Sequence, residues 1–248
     1  MIPFVVPSLP LALGVVYQTY NQPRACFEAL RSFRRHFPDV AIRLISDNGG
    51  DFSAIARRFD CDYVHDPIDT LVHVPPCAFP TPRHAVLQMR RAADAAKFLA
   101  ASSTAAEWML ILEDDVLTRG PIKHPPLSPI SGPCTCSYSE PLNSRIRTRY
   151  PQMRWVWGYS GCGGTILHIP SLLDAIDKPD AELLAIIQEG EALDGRIAKF
   201  GDALLTYLML AAGYANGPPW LDQSERSQGR GRPDAAFDHQ FKTYYDRQ

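Results

Sequence analysis

Three consecutive acids, Glu113, Asp114 and Asp115, follow directly on the apolar run Trp108-Met109-Leu110-Ile111-Leu112. Alternate residues of an extended segment share a face, so Glu113 and Asp115 are placed to enter one cleft. Neighbouring carboxylates repel, and their joint ionisation is stabilised by a cation between them. Oxygen donors of this kind suit Mg²⁺ or Mn²⁺, ions that commonly bridge to phosphate. Alone, the same acids would equally open a solvated loop. The apolar run before them favours a site, because ligands of open α/β folds bind where the sheet's strands end.

The elements that must position these acids are written as an alternation. Short apolar runs at 11–17, 41–45, 61–65 and 107–112 read as buried strands. Between them, 23–37, 51–59 and 82–101 read as helices, the first with Phe27, Leu30, Phe33 and Phe37 on its apolar side and Pro23 in its first turn. Strand–helix alternation predicts βαβ units and a parallel sheet. Loops rich in proline follow at 67–82 and 121–133. The second half is less regular, with strands expected at 153–157 and 164–169 and helices at 170–176, 181–188 and 201–212. Arg145, Arg147 and Arg149 alternate with Ile146 and Thr148, which predicts a strand carrying all three guanidinium groups on one face. A polar stretch at 222–232, containing Arg226, Arg230 and Arg232, is expected to be a mobile loop.

Composition narrows the functional classes. Of 248 residues, 46% are apolar and 21% charged, as in a folded globular protein. The formal charge of −2 argues against a general nucleic-acid binder. Arginine outnumbers lysine 20 to 5, which supplies planar forks for phosphate or carboxylate. Six cysteines include no CxxC pair, and they predict reduced, mostly buried thiols of a cytosolic protein. Residues 1–17 contain three prolines and no basic leader, and no stretch reaches 18 apolar residues. A cytoplasmic, soluble chain without a transmembrane segment is expected.

The segment Leu112-Glu113-Asp114-Asp115-Val116, placed after the fourth strand of a βα series, resembles the metal-binding motif of GT-A-fold glycosyltransferases of the broad family-2-like kind. Those enzymes carry Asp-x-Asp, sometimes Glu-Asp-Asp, at this point. The resemblance spans about residues 11–215. It implies a single GT-A-like, Rossmann-like α/β domain over 1–248, with a mixed, mostly parallel sheet and helices on both faces. Residues 11–116 would form the nucleotide-binding half, 117–220 the acceptor side and 221–248 a mobile C-terminal segment.

The resemblance further implies site roles. Asp115 would be the metal ligand, with Glu113 nearer the ribose or sugar and Asp114 also at the nucleotide. Thr19, Tyr20 and Asn21, at the first strand's end, and Asp47 in Ser46-Asp47-Asn48-Gly49 would contact base and ribose. Taken by itself, that last segment is an ordinary turn. Trp157, Gly163 and Gly164 would line the donor sugar and acceptor. Asp202, opening a helix that ends in Gly213, would take the acceptor proton, with Asp194 and Glu191 as substitutes. Asp202 could equally cap its helix. Arg226, Arg230 and Arg232 would close over the diphosphate, and a late His239 would complete the metal shell.

The implied activity is metal-dependent transfer, with inversion, from a nucleotide-diphosphate sugar, UDP-linked, to a glycan or other hydroxyl acceptor. Mn²⁺ or Mg²⁺ is the implied cofactor. Two other readings stay open: a sugar nucleotidyltransferase, although 17–23 contains no glycine, and a catalytically inactive nucleotide-sugar-binding module.

Overall fold

Four of the predicted apolar runs are parallel neighbours in one sheet: β1 (Leu13–Thr19), β2 (Ala41–Asp47), β3 (Asp62–Asp66) and β4 (Trp108–Glu113). The structure is a computed structural model that describes residues 4–47, 49–66, 81–102, 105–132, 140–151, 163–225 and 232–239. Two further strands, β6 (Ile130–Ser131) and β7 (Thr165–His168), extend the sheet to the order β3-β2-β1-β4-β7-β6. β7 runs antiparallel to both β4 and β6, so the sheet is mixed.

Helices cover both faces because the strands are apolar on both. Val15, Tyr17, Leu110 and Leu112 belong to one buried cluster, and Val16, Met109 and Ile111 belong to the other. On the first face lies α1 (Pro23–His36), whose buried stripe is Ala25, Cys26, Ala29, Leu30 and Phe33. Pro23 supplies a favoured first turn, and Arg34, Arg35 and His36 suit the negative end of the helix dipole. Burying a side chain such as Leu30 or Phe33 stabilises the fold by about 1.5–3 kcal/mol.

The second face carries α3 (Pro82–Ala100), α5 (Ile169–Ile176), α6 (Asp180–Leu193) and α7 (Gly201–Ala211), packed on one another. Every residue of α7 from Ala203 to Leu210 is buried. A short helix, α2 (Ser53–Arg58), sits between β2 and β3.

Two expectations change. Residues 145–149 form part of a helix, α4 (Glu140–Arg149), and not a strand. Pro141 is favoured near a helix start, and the apolar Ile146 is buried from the helical backbone. Arg145 and Arg149, four residues apart, share a side and pair with Asp194 and Glu189 at 3.4 and 2.7 Å. The C-terminal segment also contributes more than a loop. It supplies β8 (Gln223–Glu225) and β9 (Phe237–His239), which join β5 (Val116–Thr118) in a second sheet of order β5-β9-β8. Strands of three residues leave no alternation long enough to be read. Residues 67–80 of the predicted loop 67–82, and the predicted strand 153–157, lie outside the described residues.

Candidate metal centre

The carboxyl ends of β1, β2, β3 and β4 form one edge of the sheet. Gln18 lies beside Glu113, Thr19 beside Ser46, and Asp47 beside Asp66. The chain leaves this edge at Glu113, turns through Asp114 and Asp115, and enters β5 at Val116. β5 pairs antiparallel with β9, which sets His239 opposite Val116. The smaller sheet therefore carries an imidazole from the far end of the chain to the acids.

The result is a three-donor cluster. His239 Nε2 lies 3.3 Å from Asp115 Oδ1 and 3.7 Å from Glu113 Oε2. One donor atom from each of the three residues falls within 4.8 Å of the others. Adjacent ligands of an octahedral ion with bonds near 2.1 Å stand about 3 Å apart, so small side-chain adjustments would close this set on a divalent cation. Two carboxylate oxygens and one imidazole are donors that divalent cations accept. Asp115 is buried, whereas Glu113 and His239 are partly exposed, so the cluster opens to solvent on one side.

Asp114 behaves differently from its neighbours. Its Oδ2 accepts a hydrogen bond from Thr19 Oγ1 at 3.2 Å, and its backbone N–H donates to Gln18 O at 3.2 Å. Both side chains are buried. Thr19 and Asp114 thus tie the ends of β1 and β4 together, at the edge where the expected nucleotide contacts lie. The turn at Asp114 and Asp115, and not strand alternation, sets Asp114 against Thr19 and Asp115 beside Glu113. Glu113 stands with Asp115 and His239 in the three-donor cluster.

The other expected nucleotide residues border the same edge. Tyr20 is half-buried and its carbonyl accepts the Gly50 N–H at 2.8 Å, while Asn21 is exposed. Asp47 closes β2, and Asn48 lies outside the described residues. His65, on β3, places Nε2 3.2 Å from Gly49 O and stacks on Tyr63.

Gly163 and Gly164 are brought against the cluster. A Cβ on Gly163 would stand 2.5 Å from Val116 Cγ2 and 3.4 Å from the Glu113 side chain. Gly164 has φ +101°, a region that favours glycine, and a Cβ there would meet Gln223 Cγ at 2.3 Å. The Gln223 amide donates to Gly163 O at 3.2 Å. Gln223 was not anticipated, and its three-residue strand carries no sequence signal. Trp157, Arg226 and Arg230 lie outside the described residues. Arg232 donates its backbone N–H to Ser224 Oγ and points Nη1 at Trp220 O, so it is held on the smaller sheet.

Asp202 sits in the first turn of α7, where a carboxylate complements the helix dipole. Phe200 holds the N-cap position, so Asp202 is not the cap. Asp194 is a poor substitute base. Hydrogen bonds from Arg196, and the charges of Arg196 and Arg145, hold its carboxyl below the usual range. Glu191 is exposed on α6.

No helix among the described residues is long and apolar enough to cross a membrane. No known family profile matches the sequence, and neither does any curated protein. The fold is similar to solved structures of the galactosyltransferase LgtC. One, in complex with donor and acceptor sugar analogues, gives a TM-score of 0.53 at 11% identity, covering 91% of this chain and 86% of that one. Another, an active-site mutant of LgtC, gives 0.53 at 10% identity over the same shares. The chain has the GT-A glycosyltransferase fold.

Proposed function

We propose that this chain is a metal-dependent glycosyltransferase that moves a sugar from a UDP-linked donor to an acceptor hydroxyl. The observation that carries the reading is the convergence of Glu113, Asp115 and His239 at the carboxyl edge of a GT-A sheet. These three residues would hold the cation, Mn²⁺ or Mg²⁺. Bound there, the ion supplies positive charge against the departing diphosphate.

The remaining roles belong to the chain's own groups. Tyr20, Asn21 and Asp47 border the nucleoside, where a ring can stack on the base and a carboxylate can accept from its edge. Gly163, beside Glu113 and Val116, and Gly164 would border the donor sugar, a role the sequence also assigns to Trp157. Asp202 takes the proton of the attacking hydroxyl. Attack opposite the leaving diphosphate then inverts the anomeric carbon. LgtC, in the structure with donor and acceptor sugar analogues, handles ligands of this class on the same fold.

The test is turnover of UDP-sugars, by hydrolysis or transfer, with and without Mn²⁺. Asp115→Ala is expected to lower turnover by about a hundredfold or more while the protein still unfolds cooperatively. Undiminished Mn²⁺-dependent turnover in that variant would remove Asp115 from the mechanism. The product's anomeric configuration, read by NMR, judges Asp202: retention would exclude it as the base. Nucleotide binding with no turnover of any sugar nucleotide or acceptor would identify a binding module.

A further inference from the structure

His239 belongs to a three-residue strand, so something besides that strand must hold its imidazole at the acids. β9 is flanked by β5 and β8, and the loop at 121–124 lies against the same assembly. Asp222, the residue before β8, joins these pieces. It is completely buried. Its Oδ2 accepts the backbone N–H of Lys123 at 2.9 Å and of His124 at 2.6 Å, and lies 3.3 Å from His124 Nδ1. Its own carbonyl accepts the Phe237 N–H at 2.8 Å, at the first residue of β9. Trp220 Nε1 donates to His124 O at 2.9 Å and closes the same junction. One buried carboxylate thus fastens the 121–124 loop to the start of β8, and its backbone fastens β8 to the start of β9.

We propose that Asp222 is a positioning residue for the metal centre, acting through β9 to hold His239 Nε2 against Asp115 and Glu113. The inference rests on the reading of Glu113, Asp115 and His239 as cation ligands, and it adds a residue that touches none of them. A buried carboxylate that accepts two backbone N–H groups is costly to release and leaves both donors stranded when removed. Without it, the entry to β8 and β9 loosens, and the ligand at the far end of β9 loses its fixed place. Groups hydrogen-bonded directly to metal ligands change metal affinity by about ten- to a hundredfold, and a residue acting one step further out is placed at the lower end of that range.

The experiment measures Mn²⁺ affinity of the full chain, by electron paramagnetic resonance of the free ion, without nucleotide or turnover. Compared are the wild type, Asp222→Ala, Asp222→Asn, His239→Ala and the double variant Asp222→Ala/His239→Ala. Asp222→Ala is expected to weaken Mn²⁺ binding about tenfold or more. Asp222→Asn keeps an acceptor for the two N–H groups and is expected to retain most of the affinity. In the His239→Ala background, removal of Asp222 is expected to add no further loss, because the path it acts through is gone. A thermal melt accompanies each protein. If Asp222→Ala does not fold, Asp222→Ser, whose shorter side chain cannot hold both N–H groups, replaces it alone and combined with His239→Ala, and a loss that does not depend on the presence of His239 overturns the proposal. Unchanged affinity in Asp222→Ala, or an equal loss with and without His239, also overturns it. Wild-type protein that binds no Mn²⁺ overturns the metal-centre reading and this inference with it.

Discussion

Neighbouring carboxylates on one turn take opposite roles here. Asp115 faces His239, and Asp114 is buried on Thr19. Close to that buried pair lies Cys26, whose thiol is pushed up to about 12 by burial, against the lowering effect of its hydrogen bond with Thr19 and with a raising contribution from Asp114. Burial likewise pushes Cys61 up to about 11. A raised value keeps each thiol protonated at higher pH, so the reactive thiolate is scarce. At pH 8 both are held overwhelmingly as the unreactive thiol. Iodoacetamide at that pH is therefore expected to spare both in folded protein and to modify both in guanidinium, as mapped by mass spectrometry. Rapid labelling of Cys26 in the native state would contradict its burial.

Among the elements, the turn into β7 is tightly constrained. Gly164 adopts φ +101° and donates its N–H to Ile111 O at 2.7 Å, while Gln223 occupies the space where a Cβ would stand. Gly164→Ala combines backbone strain with a steric conflict and is expected to cost about 1–3 kcal/mol. Denaturant unfolding of wild type and variant measures this, and an unchanged midpoint would show that the turn is not strained. α4 illustrates a different constraint. Its arginines form exposed pairs with Asp194 and Glu189, worth little individually, and the burial of Ile146 is what seats the helix.

In the molecule as a whole, the candidate centre draws ligands from both sheets. Glu113 ends a strand of the large sheet, and His239 ends a strand of the small one. A cation that binds only this folded arrangement must stabilise it by mass action, by about 2.7 kcal/mol at a hundred times its dissociation constant. Mn²⁺ is thus expected to raise the melting temperature by several degrees, and His239→Ala to abolish most of that rise. Equal stabilisation of wild type and variant would mean that the ion binds elsewhere.

What could be read without coordinates was local. Buried parallel strands appear as continuous apolar runs because both faces are covered, and helices such as 23–36 carry their own first-turn and apolar-stripe signals. Glu113 and Asp115 were legible as a pair from their spacing alone, although a turn, and not the strand alternation expected, brings them together. The arginines at 145–149 misled for the same reason: an alternating spacing is local, and the burial of Ile146 that selects a helix is not. Only the tertiary structure decided that His239 would join the acids, that Asp114 would turn to Thr19, and that Asp222 would lock the β8–β9 junction. Those outcomes depend on strand register between segments far apart in the chain, and three-residue strands become stable through pairing and burial that no short stretch of residues encodes.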